Sequence, residues 1–179
     1  MMPAGGARGR LIVTIGPPGA GKTTWRATHM PAGAVVVSLD ELRAKYSPCG
    51  CSSDPGANAA ATEQGVALTR DTLAAGGTVL WDVTAYKPAF RRRLLALAAG
   101  YRVRTVGVVI LPPVGLALAR NGRRDPRICP VCRTARRVPE DVLTAMHHAI
   151  TTDLPRLPVE GWHTLHFRPP QHDLSEGVA

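Results

Sequence analysis

Apolar residues in this chain are concentrated in short, almost continuous runs. In chain order these runs are 10–15 (RLIVTI), 34–38 (AVVVS), 78–81 (TVLW) and 103–111 (VRTVGVVIL), with a weaker one at 162–167. Runs rich in valine and isoleucine are typical of strands that are buried on both faces of a parallel sheet. The pattern therefore predicts five strands, of which 103–111 is the clearest because Pro112 and Pro113 end it.

The segments between these runs have the apolar spacing of helices. Helices are expected from about Gly21 onwards and at 41–45, 59–75, 87–99, 114–121 and 139–151. Alternating strands and helices are typical of an α/β fold, in which a parallel sheet lies between helices on both of its faces.

Two polar segments interrupt this alternation. The first, 47–58 (SPCGCSSDPGAN), is rich in turn residues, and the second, 122–138 (GRRDPRICPVCRTARRV), is basic and contains prolines. Neither has enough apolar residues for a core element, so both are expected to be surface inserts. We expect one domain over 10–168 with a mobile basic lid at about 120–138. A flexible N-terminus at 1–9 and a tail at 169–179 complete the chain.

The composition is that of an ordinary globular protein of 179 residues. No apolar run reaches 18 residues, and the first run is too short for the core of a signal peptide, so we expect a cytoplasmic protein without a membrane partner. The formal net charge is +9, and only three of the 22 basic residues are lysines. Arginine binds phosphate through planar, bidentate contacts. This bias favours a nucleic-acid partner, although an arginine-rich genome would produce it too.

A phosphate-binding loop follows the first predicted strand. Residues 16–23 (GPPGAGKT) match the pattern G-x-x-x-x-G-K-[ST] completely. Gly16, Gly19 and Gly21 allow successive backbone N–H groups to curl around an anion at the start of a helix. Lys22 then reaches the β- and γ-phosphates, and the hydroxyl group of Thr23 can ligate Mg²⁺. The chain is therefore predicted to bind a nucleoside triphosphate.

This loop alone is compatible with a GTPase, a motor ATPase or a kinase. No guanine-reading N-K-x-D tetrapeptide occurs, and no long strand ends in a Walker-B carboxylate, although 79–82 (VLWD) ends in Asp82. A small kinase needs a carboxylate near the loop and cations that close over the transferred phosphoryl group.

Candidates for both groups are present. Asp40 follows the second strand, and Arg43 shares its helix face three residues later. The basic insert supplies four lid arginines, which are Arg120, Arg123, Arg124 and Arg127. Two plainer interpretations stay open. In the first, Asp40 serves only as the N-cap of helix 41–45, and in the second, the arginines form only a solvated loop.

Taken together, the motifs resemble those of the phage-type polynucleotide 5′-kinases. The similarity covers roughly 11–150 and keeps the order and approximate spacing of the motifs. The matching segments are 14–25 (TIGPPGAGKTTW), 38–43 (SLDELR), 81–84 (WDVT), 91–93 (RRR), 118–124 (LARNGRR) and 138–146 (VPEDVLTAM).

The resemblance implies transfer of the γ-phosphate of ATP to a 5′-hydroxyl end of DNA or RNA. It implies that Lys22, Thr23, Thr24 and Arg120 bind ATP and Mg²⁺ together with the glycines of the loop. It implies three groups on the acceptor side, which are Asp40 as general base, Arg43 on the acceptor phosphate, and Asp82 with Thr84 in the acceptor pocket. Arg124 best matches the lid arginine that stabilises the transition state.

This sequence departs from the family's pattern at two points. Thr84 stands where the family has an amide side chain, and a cysteine-bearing insert separates Arg124 from Val138. Both departures concern the acceptor. A kinase for a hydroxymethylated base in DNA or for a small-molecule hydroxyl group is therefore an alternative. A non-catalytic module that binds nucleotide or nucleic acid is a further alternative, and it would not need Asp40.

Four cysteines form two close pairs, one in each polar insert. Cys49 and Cys51 form a C-x-C pair, and Cys129 and Cys132 form a C-P-x-C pair similar to a zinc knuckle. Four thiolates are a tetrahedral ligand set that structural Zn²⁺ prefers. Disulfides are not expected in a cytosolic protein. We predict a zinc-stapled insert, with four free thiols or a redox pair as the alternatives.

Overall fold

The computed structural model describes residues 9–168, so the predicted N-terminus and tail fall almost entirely outside the described residues. The strands are β1 (Arg10–Ile15), β2 (Val35–Ser38), β3 (Val79–Asp82), β4 (Arg104–Ile110) and β5 (Thr164–Arg168). The helices are α1 (Lys22–His29), α2 (Leu39–Tyr46), α3 (Asn58–Ala74), α4 (Pro88–Gly100), α5 (Val114–Gly122) and α6 (Glu140–Asp153). Two short 3₁₀ helices lie at Pro55–Ala57 and Leu157–Val159.

Every strand and helix that the sequence predicts is present, with ends that differ by at most a few residues. The 3₁₀ helices were not predicted. Within 9–168, no helix is both long and apolar enough to cross a membrane.

The five strands form one parallel sheet in the order β2-β3-β1-β4-β5. β1 lies at the centre and pairs with β4 over its whole length, from Arg10 opposite Arg104 to Ile15 opposite Val109. The carboxyl ends of β1, β2 and β3 therefore meet at one edge of the sheet, where α/β proteins bind their ligands.

Alternate residues of the strands point into two separate cores, one on each face of the sheet. This arrangement confirms the predicted α/β fold. Leu11, Val13 and Ile15 of β1 point into one core, which also contains residues of α3, α4 and α6. Ile12 points into the other core together with Trp25 of α1. The sheet therefore carries helices on both of its faces.

A buried hydroxyl group joins the ends of the two strands beside the phosphate loop. Thr14 in β1 is completely buried, and its Oγ1 accepts a hydrogen bond from the backbone N–H of Val83 at 3.1 Å. The same hydroxyl lies 3.0 Å from the carbonyl oxygen of Val83. These contacts fix the end of β3 against β1, because a buried hydroxyl group without partners would be costly.

A completely buried arginine anchors the loop after β3. Arg91 donates hydrogen bonds to the carbonyl oxygens of Ala85 and Tyr86, at 2.9 and 3.0 Å. Its guanidinium also forms ion pairs with Asp153 at 2.8 Å and with Glu160 at 2.6 Å. One side chain thus ties α4 to the end of α6 and to the 3₁₀ helix that follows it.

Replacing Arg91 with alanine should destabilise the protein by about 3–5 kcal/mol, because two buried carboxylates would lose their partner. Arg92→Ala is the matched control, since Arg92 is exposed on the same helix and should change the free energy of unfolding by less than about 0.5 kcal/mol. Urea denaturation measures both values. Equal stabilities of the two variants would contradict the anchoring role.

Candidate functional site

The phosphate loop connects β1 to α1 and packs closely against the backbone of neighbouring segments. Gly19 and Gly21 have φ angles of 78° and 95°, which favour glycine. A Cβ atom at Gly16 would overlap with the carbonyl oxygen of Ile110, and one at Gly19 would overlap with that of Ala117. The glycines that the sequence assigned to an anion cradle are therefore required by the backbone geometry of the loop.

Lys22, the first residue of α1, folds back over this loop. Its Nζ donates hydrogen bonds to the carbonyl oxygens of Gly16 and Pro17, each at 2.9 Å. Desolvation of the ammonium group lowers the pKa of Lys22 to about 8, although the nearby charges of Asp82 and Asp40 oppose the shift. Thr23 and Thr24 follow on the same turn and are exposed.

The carboxylate at the end of β3 is held by an arginine that the sequence analysis missed. Arg26 donates to Asp82 at 3.0 Å and to Glu41 at 3.2 Å, so it bridges β3 and α2. Burial raises the pKa of Asp82 above its usual range, while the charges of Lys22 and Arg26 oppose this shift. Arg26 lies one helical turn after Lys22, and this spacing is the feature of the sequence that could have identified it as a site residue. Beside Asp82, the carbonyl oxygen of Thr84 accepts a hydrogen bond from the N–H of Gly16 at 3.0 Å.

The alternative in which Asp40 is only an N-cap is wrong. Ser38 caps α2, because its Oγ accepts a hydrogen bond from the backbone N–H of Glu41 at 3.3 Å. Asp40 lies inside the first turn, its side chain is 69% exposed, and it forms an ion pair with Arg43. Its carboxylate is consequently available to groups outside the helix.

Arg43 is held on three sides. Besides its ion pair with Asp40, its Nε donates to the carbonyl oxygen of Ser52 at 2.7 Å, and its Nη1 donates to Asn58 at 3.0 Å. The guanidinium group therefore connects α2, the first polar insert and the start of α3.

The second polar insert follows α5 and contains no helix or strand over 123–139. Its two ends are joined by Asn121, a buried residue that donates to the carbonyl oxygen of Val138 at 2.7 Å and accepts from its N–H at 3.1 Å. Arg137 donates to the carbonyl oxygen of Arg124 at 3.2 Å. The mobility predicted for this lid stays a prediction.

Two predicted lid arginines lie beside the phosphate loop. A Cβ atom on Gly21 would lie 3.6 Å from Nη1 of Arg120. Arg124 interacts electrostatically with Lys22 and Asp40, and burial lowers its pKa. The structure thus brings together five of the predicted site residues, which are Lys22, Asp40, Asp82, Arg120 and Arg124. It leaves Arg127 and Cys129 further along the insert, where Arg127 forms an exposed ion pair with Asp125 at 2.7 Å.

The four cysteines form a second cluster. Their sulfur atoms all lie within 4.8 Å of one another, and none of the four cysteines forms a disulfide. Ligands at about 2.3 Å from a tetrahedral zinc ion would be separated by about 3.8 Å. Backbone N–H groups of Cys132 and Val131 donate to the sulfur of Cys129 and lower its pKa. The geometry is compatible with a metal ion.

A parallel sheet with a phosphate loop after its central strand defines a P-loop nucleotide-binding protein. The AAA domain family (AAA_33) matches residues 11–152. This is most of the chain, and the chain belongs to this family. A comparison with curated proteins gives no significant match.

Three solved structures illustrate the shared fold. A chain of the Pnkp1/Rnl/Hen1 RNA repair complex has a TM-score of 0.67 at 15% identity, covering 87% of this chain and 48% of its own length. This chain thus spans about half of that relative. Kti12 from Chaetomium thermophilum, in complex with ADP-AlF3, has a TM-score of 0.60 at 18% identity, covering 92% and 91%. A gluconokinase from Sinorhizobium meliloti 1021 has a TM-score of 0.55 at 18% identity, covering 94% and 86%. The fold is therefore one that P-loop kinases share.

The titration of Lys22 predicts how nucleotide binding depends on pH. Only the protonated amine attracts phosphate, so affinity should hold up to the pKa of about 8. Above that pKa it should fall by up to about tenfold per pH unit, because binding must then take up a proton. Titration with a fluorescent ATP analogue and Mg²⁺ measures this. The Lys22→Arg variant is the control, since its charge persists. A wild-type affinity that stays constant up to about pH 10 would refute the assignment.

Proposed function

We propose that this protein is a kinase that transfers the γ-phosphate of ATP to a 5′-hydroxyl end of DNA or RNA. The proposal is carried by the position of Asp40, an exposed carboxylate whose charge acts on Lys22 of the phosphate loop and on Arg124 of the lid. A carboxylate that interacts with both of these cations can accept the proton of an attacking hydroxyl group, which is what a phosphoryl-transfer site requires.

The residues around the loop fit a nucleoside triphosphate with Mg²⁺. Gly19 and Gly21 curl the backbone at the N-terminus of α1, and the first N–H groups of a helix have no partner within it and can bind an anion. Lys22 would exchange its two carbonyl partners for phosphate oxygens, and the exposed hydroxyl of Thr23 would hold the metal ion. The bound Mg²⁺ would neutralise charge that develops on the phosphate oxygens.

Asp40 suits the role of general base better than Asp82 does. Asp82 has a side chain that is only 8% exposed, and it is engaged by Arg26. Asp40 is exposed and forms an ion pair with Arg43, whose charge would hold a phosphate of the acceptor. Asp82 would then position Arg26 and the start of α1 without touching the reacting atoms.

The charge and shape beside Arg43 support a nucleic-acid acceptor. An open groove of about 490 Å³ runs between the two polar inserts. Its lining contains Ser52, whose carbonyl oxygen binds Arg43, together with Arg136, Arg127 and the Asp125 that pairs with Arg127. Arginines along a groove suit a strand with several phosphates better than a neutral alcohol. The similarity in fold to a chain of an RNA repair complex agrees with this choice.

Exchanging Asp40 for asparagine tests the chemistry. The variant should keep its affinity for ATP but lose about 10²–10⁴-fold in rate, because the amide cannot accept a proton. Glu41→Gln is the matched control, since Glu41 is the exposed neighbour on the same turn, and its rate should stay close to that of the wild type. A near-wild-type rate for Asp40→Asn would favour a non-catalytic binding module.

The acceptor is tested with labelled ATP and three kinds of hydroxyl, namely 5′-OH oligonucleotides, DNA with hydroxymethylated bases, and small neutral alcohols. Oligonucleotides should be preferred at low salt. The logarithm of their KM should rise with the logarithm of salt concentration by roughly 0.7 per phosphate contacted. Arg43→Gln should lower this slope. Efficient transfer to small alcohols with no salt dependence would instead support the small-molecule kinase.

A further inference from the structure

The cysteine cluster joins two parts of the chain that have little else to hold them together. Cys49 and Cys51 follow α2, and Cys129 and Cys132 belong to the lid insert. The large apolar side chains beside the second pair are turned to solvent, since Ile128 is 68% exposed and Val131 is 65% exposed. Hydrophobic burial therefore contributes little to this contact.

Hydrogen bonds also join the two inserts. The hydroxyl groups of Ser53 and Thr134 lie 3.0 Å apart, and the Thr134 hydroxyl also donates to the carbonyl oxygen of Ser53 at 3.2 Å. Within the second insert, the carbonyl oxygen of Thr134 accepts from the N–H of Cys129 at 2.9 Å. Partly exposed hydrogen bonds of this kind compete with water and stabilise a contact only modestly.

The charges around the cluster fit a metal tetrathiolate. The second insert, 122–138, contains six arginines and one aspartate. They are Arg123, Arg124, Arg127, Arg133, Arg136, Arg137 and Asp125. Four thiolates around a divalent ion carry a net charge of −2, and this charge would offset part of the surplus on the arginines. Four protein ligands also leave no open position for water, so such a site is structural.

One hydrogen bond connects the cluster to the proposed acceptor site. Ser52 directly follows Cys51, and its carbonyl oxygen accepts from Nε of Arg43 at 2.7 Å. Arg43 in turn pairs with Asp40. On the other side, Ser47 at the end of α2 lies 3.1 Å from the sulfur of Cys49 and donates to Asp54 at 2.7 Å. The segment from 47 to 54 therefore helps to hold the side chain of Arg43 in place.

We propose that Cys49, Cys51, Cys129 and Cys132 bind one structural Zn²⁺ that holds the two inserts together and thereby positions Arg43 for the acceptor. The positioning role rests on the proposed kinase function, whereas the metal site does not. Zinc suits the site because four thiolates at tetrahedral spacing select zinc or iron, and an ion without redox chemistry suits a structural joint.

The metal site is tested by elemental analysis of protein purified without added metal. We expect about one zinc ion per chain and its loss in the variant Cys129→Ser/Cys132→Ser. Val131→Ser is the matched control, because it changes the same turn at an exposed residue that is not a ligand. Four freely titrating thiols without metal would overturn the proposal, as would a disulfide or an equivalent of iron.

The joining role is tested by hydrogen exchange on wild-type protein before and after a chelator removes zinc. Amides of 47–54 and 125–137 should exchange faster without metal and recover when zinc is added back, while amides of β1 and β4 should not change. Because the protein is the wild type, a misfolded variant cannot produce this result. Unchanged exchange in both inserts would overturn the joining role.

The effect on the acceptor separates this proposal from a general loss of stability. The zinc-free protein should show a KM for the 5′-OH oligonucleotide that rises by about tenfold to a hundredfold, with the KM for ATP nearly unchanged. Equal increases in both KM values would overturn the positioning of Arg43. If the zinc-loaded wild type phosphorylates no acceptor, the proposed kinase function is wrong. The metal content and the amide hydrogen exchange would still show whether zinc holds the two inserts together.

Discussion

The phosphate loop passes so close to two backbone carbonyl groups that there is no room for a side chain at two of its positions. The carbonyl oxygens of Ile110 and Ala117 stand directly behind Gly16 and Gly19 and leave no room for a Cβ atom. Ile110 ends β4, which is paired with β1 along the whole of that strand. The cradle therefore takes its rigidity from the centre of the sheet, and its N–H groups are oriented before any anion arrives.

The same packing sets the electrostatics of the site. Lys22 and Asp82 both lose hydration, and their pKa values move towards neutrality from opposite sides, to about 8 for the lysine and upwards for the aspartate. Arg26 and Arg124 add positive charge to this small region. Asp40 and Asp82 offset part of this positive charge, and the remainder would attract a phosphate group.

Local patterns predicted the elements well, because each strand is a nearly continuous apolar run and β1 is followed directly by its phosphate loop. They predicted less where function depends on distant residues. The pair Arg26–Asp82 spans 56 positions and depends on the order of the strands, which no local pattern contains. The capping of α2 was also ambiguous, because Ser38 and Asp40 are both good N-cap residues. The hydrogen bond from the N–H of Glu41 to Ser38 identifies Ser38 as the cap.

The proposed zinc ion would lie where the chain has little apolar surface to hold it in place. Ordering a polar segment costs about 1–2 kcal/mol per residue, and the segment around Ser52 buries too little apolar surface to offset this. Binding of structural zinc contributes about 10–16 kcal/mol, enough to order roughly ten residues. The proposed ion would therefore stabilise the carbonyl group that holds Arg43.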